Sequence, residues 1–200
     1  MDHEDRPAPR WVVPPPNGWQ ADDLDRLPPN APRRVELIDG ALVVMAPQTA
    51  FHMRVINALL RQLAEQAPPG LEIAREMTIR LDERQRPEPD LLVVDGPALD
   101  DGTRTWLVPN EVHLVIEVLS PESEVRDTQR KPQLYAQAGI KHFWRVENDG
   151  GRAVVFTYEL DPATRSYVST NICRETLAIS EPFPIKLQVD KLHERRLKLS

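Results

Sequence analysis

The chain has 200 residues, 31 acidic against 25 basic and a formal charge of −6, so it is long enough for one domain with a real core, and its overall field opposes nucleic acid or an anionic membrane except at a local basic patch. Its single cysteine, Cys173, excludes an intramolecular disulfide, and no apolar run approaches the roughly 18 residues that a spanning helix needs. With an N-terminus too charged and proline-rich for a signal peptide, the composition leads us to expect a soluble, cytoplasmic, single-domain protein.

Residues 1–18 are too broken by proline to hold a helix or a sheet interior and are expected to form a flexible arm, leaving 19–200 as the domain. ADDLDRLPPN predicts one short helix stopped by Pro28 and Pro29. RRVELIDGALVVMAP predicts a hairpin, since Asp39-Gly40 supplies the positive backbone angles of a tight turn. Phe51, Val55, Ile56, Leu59, Leu60 and Leu63 recur at helical spacing until Pro68-Pro69-Gly70. Three strand-like runs follow, LEIAREMTIRL, DLLVV and VHLVIEVL, and then a helix over about 125–138 with Gly139 as its C-terminal cap. KHFWRVE, AVVFTYEL, RSYVST and PIKLQV read as a terminal meander. The fold class expected is α/β or α+β: a mixed sheet flanked by helices, with an antiparallel C-terminal extension.

Glu117 lies between Ile116 and Val118 in a run apolar at nearly every position, the pattern of a strand covered on both faces. An ionised, unpaired carboxylate there would cost several kcal/mol or take up a proton. It needs a cation, which a lysine, an arginine or a divalent metal could supply. Asp90 opens DLLVV after a proline-flanked entry, and if that run neighbours VHLVIEVL the two acids converge at a shared edge. Glu36, alternating with Val35 and Leu37 in VELI, is the third candidate. Three carboxylates around one point suit Mg²⁺ or Mn²⁺. Asp127, Lys131 and Tyr135, spaced by fours, form one helical stripe that can aim an ammonium at the end of the preceding strand. Taken singly, each has a plain structural account: an ion pair for Glu117, a strand start for Asp90, an exposed hairpin acid for Glu36, a surface pair for Asp127 and Lys131. His52, His113 and Cys173 read as bystanders.

The ordered set VELIDGALVVMAP, PEPDLLVVD, LVIEVLSPES, the spaced Asp127 and Lys131, and LYAQAGIKHFWRVE resembles the Uma-two type restriction endonucleases of the PD-(D/E)XK nuclease superfamily, over roughly residues 20–190. The resemblance implies a restriction-endonuclease-like core with Asp90 and Glu117 as ligands of a divalent metal, normally Mg²⁺, and Glu36 as the acid from the N-terminal part of the fold. The superfamily pattern wants a lysine two residues after the second acid, where this chain has Leu119; in this family it moves to the next helix, which fits Lys131. The function expected is metal-dependent hydrolysis of DNA phosphodiester bonds, with Arg33, Arg34, Arg126 and Arg130 as the local basic patch. A noncatalytic accessory protein that keeps the nuclease-like core is the alternative, and strand edges in the meander allow a homodimer.

Overall fold

The computed structural model describes residue 11 and residues 13–194, so most of the expected arm lies outside the described residues. A 3₁₀ helix, Ala21–Arg26, is held to the body by Arg86, whose buried guanidinium spans both Asp25 oxygens at 2.7 and 2.8 Å and reaches the Ala21 carbonyl. Strands β1 (Val35–Ile38) and β2 (Ala41–Val44) form the expected hairpin, with φ of 54° at Asp39 and 74° at Gly40. Both angles are positive, as a two-residue primed turn requires. The hairpin stays outside the main sheet and is joined to the body by paired backbone hydrogen bonds between Leu37 and Arg86.

Helix α1 (Ala50–Ala64) is capped by the Thr49 hydroxyl, which accepts from the His52 amide. The LEIAREMTIRL run is not one strand: β3 (Leu71–Arg75) ends before Glu76, at φ 55°, and β4 (Thr78–Ile79) turns away to pair with β6 (Trp106–Leu107). Left-handed backbone at a glutamate breaks the pleat and redirects the chain. Strands β5 (Leu91–Asp95) and β7 (Val112–Val118) are antiparallel neighbours. The next helical segment carries a π turn over Arg126–Arg130 and then helix α2 (Lys131–Gln137), with Gly139 left-handed at its end as expected. Strands β8 (His142–Asp149), β9 (Arg152–Asp161) and β10 (Ser166–Cys173) complete a six-stranded sheet in the order β10-β9-β8-β7-β5-β3. Its one parallel pairing is β7 with β8, the pair that the second helix connects.

PIKLQV does not extend that sheet. It forms β12 (Ile185–Gln188), paired with β11 (Thr176–Ile179), a strand the sequence reading did not anticipate. One face of the sheet buries Leu91, Val93, Leu114 and Ile116 against Val55, Ile56, Leu59 and Leu63 of α1; the other buries Leu92, Val94, Val115 and Phe143 against Tyr135 and Ile140. Each such fully buried side chain contributes about 1.5–3 kcal/mol, and period two then places Glu117 on the α2 face beside Val115. No helix among the described residues is long and apolar enough to cross a membrane.

Candidate active site

The antiparallel register pairs Leu91 with Ile116, and Asp90 lies one step beyond that pair, beside the end of β7 that carries Glu117. The Val118 amide donates to Asp90 Oδ2 at 2.8 Å, fixing the carboxylate at the strand entry. Two like charges facing across adjacent strands repel, so this placement needs compensation. The helix supplies part of it. Lys131 Nζ, fully buried, lies 2.9 Å from Glu36 Oε2, 3.1 Å from Glu117 Oε1 and 3.1 Å from Asp127 Oδ1. The Tyr135 hydroxyl donates to Glu117 Oε1 at 2.7 Å. The stripe of Asp127, Lys131 and Tyr135 therefore does meet the end of β7, at the acid left without a lysine two residues along its own strand.

Glu36 arrives from the hairpin, wholly buried, with the Glu88 amide donating to Oε2 at 3.2 Å and Arg126 Nε 3.4 Å from Oε1. Its oxygens thus lie among the cation of Lys131, the guanidinium of Arg126 and a backbone donor. Arg34 turns inward: Nε donates to Glu88 Oε1 at 2.7 Å and Nη2 lies 4.0 Å from Asp90 Oδ1. Arg130 reaches back to the hairpin and donates from Nε to Asp39 Oδ2 at 2.8 Å, while Arg33 is exposed. Of the four arginines read as one outward patch, three are paired with acids of the same fold, Arg34 with Glu88, Arg130 with Asp39 and Arg126 with Glu36, and Arg33 faces solvent. His52, read as a bystander, is buried with Nε2 3.1 Å from Asp90 Oδ2. Nothing in its spacing on α1 marked it, since the contact joins residues far apart in the chain.

Burial pushes the Glu117 carboxyl well above its ordinary value; Lys131 pulls it down, and Asp127, Asp90 and Glu36 raise it further. Burial likewise raises Asp127 against the pull of Lys131, and raises Glu88 against Arg34. For Lys131, burial opposes the charged form, but Glu117, Glu36 and Asp127 prevail and hold its pKa well above the usual lysine range. Burial and the neighbouring Glu117 do the same to the Tyr135 hydroxyl.

Five carboxylates (Glu36, Glu88, Asp90, Glu117 and Asp127) face three fixed cations (Lys131, Arg34 and Arg126), a formal excess of two negative charges. Protons or a divalent cation must make up that difference. Among the described residues Asp90 Oδ1 and Glu117 Oε2 accept no hydrogen bond, and no three Asp, Glu, His or Cys side chains stand close enough together to share one ion. Both are hard carboxylate oxygens, the donor type preferred by an ion such as Mg²⁺ that keeps several waters and takes one or two carboxylates.

The family model described as Uma2, "putative restriction endonuclease", matches residues 21–192, nearly the whole chain. The chain belongs to the Uma-two family. No curated protein matches it. Among solved structures it is similar to a "putative nuclease belonging to DUF820" from Anabaena variabilis ATCC 29413, at 18% identity and a TM-score of 0.66, covering 86% of this chain and 96% of that one. At that identity the likeness shows the fold, a mixed α+β architecture shared with a nuclease-like protein.

Proposed function

We propose that this Uma-two protein is an endonuclease that hydrolyses DNA phosphodiester bonds with Mg²⁺, or Mn²⁺ as a substitute. The observation that carries the reading is the convergence of Lys131 on Glu117, from the following helix rather than from the same strand. Asp90 Oδ1 and Glu117 Oε2 would hold the ion. Bound there, it would supply Lewis-acid polarisation of the scissile phosphate and acidify a water. The chain's own groups do the rest. The Val118 amide and His52 fix Asp90, and the Tyr135 hydroxyl fixes Glu117. Because its pKa is raised, Lys131 stays protonated at neutral pH and acts by charge and position, not as a base. Glu36, first expected as a third metal oxygen, we assign to anchoring Lys131 within reach of both strands.

DNA would approach from the side of Arg33 and Arg126, with Arg34 tied to the buried Glu88 and Arg130 to the exposed Asp39 until a phosphate competes for them. A second copy would add along β10, an outer strand of eight residues with no charged side chain and with Val168 and Ile172 exposed. With Mg²⁺, the purified protein should nick supercoiled plasmid, and Asp90→Ala and Glu117→Ala should not. Equal nicking by all three would assign the activity to a contaminant.

A noncatalytic role in binding is favoured by one feature, the complete burial of Lys131. Calorimetry separates the two readings. Heat of Mn²⁺ binding that disappears in Glu117→Ala belongs to the nuclease, and a folded protein indifferent to divalent ions belongs to the alternative.

A further inference from the structure

On the other flank of the second helical segment lies a cavity of about 540 Å³, between that helix and strands β8, β9 and β10. Its lining differs in charge from the rest of the molecule. In a chain of net charge −6, the described residues around it include two arginines, Arg145 and Arg165, and no Asp or Glu. The helix contributes Gln129, Gln133 and Gln137, three primary amides spaced by fours. The sheet contributes Phe143, stacked at 5.6 Å on Tyr158 and at 5.4 Å on Tyr167, with both tyrosines only partly buried.

Arg145 has a donor without a partner, and Arg165 stands exposed in its turn. Arg145 gives Nη2 to Glu147 at 2.7 Å and lays its guanidinium over the rings of Phe156 and Tyr158, yet its Nε is buried without a hydrogen-bond acceptor. Arg165 sits at φ 52° in the turn closed by its amide to the Asp161 carbonyl. Glycine is at ease in that backbone conformation and an arginine is strained, so nothing in the turn itself calls for a long cation there.

We infer that this groove binds a nucleotide, with the base against the tyrosines and the glutamine amides and the phosphate on Arg165 and Arg145. Aromatic faces hold any base and arginines any phosphate, while amides can bond an adenine edge in pairs. The volume lies in the range of small-ligand sites. The nucleotide could belong to an unpaired strand or be free in solution, and the inference stands whether or not Asp90 and Glu117 support cleavage.

The test is fluorescence anisotropy of a labelled single-stranded oligodeoxyadenylate in EDTA, so that no ion-dependent chemistry contributes. Wild type and Glu117→Gln should bind alike. Arg165→Gly relaxes the turn and should keep or raise the thermal midpoint while weakening binding about tenfold, the loss of one charge-assisted contact. Gln133→Leu, on the exposed helix surface, should weaken it less. Displacement by AMP at similar concentration would identify a free nucleotide as occupant, and failure of AMP to displace would identify a strand. No binding by the wild-type protein, or equal binding by wild type, Arg165→Gly and Gln133→Leu, overturns the inference. A protein that binds in EDTA but never nicks with Mg²⁺ would sink the nuclease reading and leave the groove in place.

Discussion

At Lys131 a single ammonium faces three carboxylates in a volume closed to water. Removing it leaves Glu36, Glu117 and Asp127 to repel one another, so Lys131→Met should lose about 3–5 kcal/mol near neutral pH, the usual cost of breaking a buried ion pair. The loss should shrink on acidification. In the variant Glu117 and Asp127, already raised by burial, would have folded pKa values further above their unfolded ones, and such groups destabilise the fold once pH exceeds the unfolded value and stop doing so as pH falls back through it. Chemical denaturation at two pH values checks this, and a loss unchanged with pH would mean that the cluster is neutral already. Glu117 makes a second prediction at the same scale. Its proton competes with a metal ion, and its pKa lies above the ordinary 4.5. Mn²⁺ affinity should therefore rise with pH, through a midpoint above the ordinary carboxylate value. A flat profile would remove Glu117 from the ligand set.

Asp127 and Lys131, four residues apart, share a helical face across a π turn that precedes α2. Pro132 cannot donate a hydrogen bond to the Thr128 carbonyl and its ring crowds that oxygen, and the turn before it widens to Arg126–Arg130. Pro132→Ala restores the donor. It should raise the thermal midpoint, since alanine is the better helix former by up to ~3 kcal/mol, and leave nicking in place, because four-residue spacing keeps Asp127 on the face of Lys131 in a regular helix as well. A midpoint that does not rise would show that the donor missing at Pro132 costs the helix nothing. The four-residue spacing of Asp127, Lys131 and Tyr135 was visible in the sequence, and so were the Asp39-Gly40 turn and the Gly139 cap, because each rests on chemistry local to a few residues. The break at Glu76, the β11 strand and the inward turn of Arg34 were not. A left-handed glutamate has no composition signal, and Arg34 is directed by Glu88 and Asp90, more than fifty positions away.

Across the whole molecule the excess of acids sets the terms for DNA. A surface of net charge −6 leaves only a small patch to contact phosphate, so binding should be weak and its salt dependence shallow, each lost contact lowering the slope by about one. Replacing Arg126 and Arg130 by alanine together should weaken binding and flatten that dependence; an unchanged slope would exclude both from the contact. Lysines at positions 168 and 172, on the outer edge of β10, should hold the protein monomeric in sedimentation if copies meet there, and a wild-type protein that is already monomeric removes the edge as an interface.

The acids at 36, 90, 117 and 127 reach one another from a hairpin, two strands and a helix. A chain still emerging from the ribosome, or a fragment lacking any one of these segments, has no complete constellation to act with. Whatever the site does is withheld until synthesis and assembly are finished, which spares the cell that makes it from a half-built version.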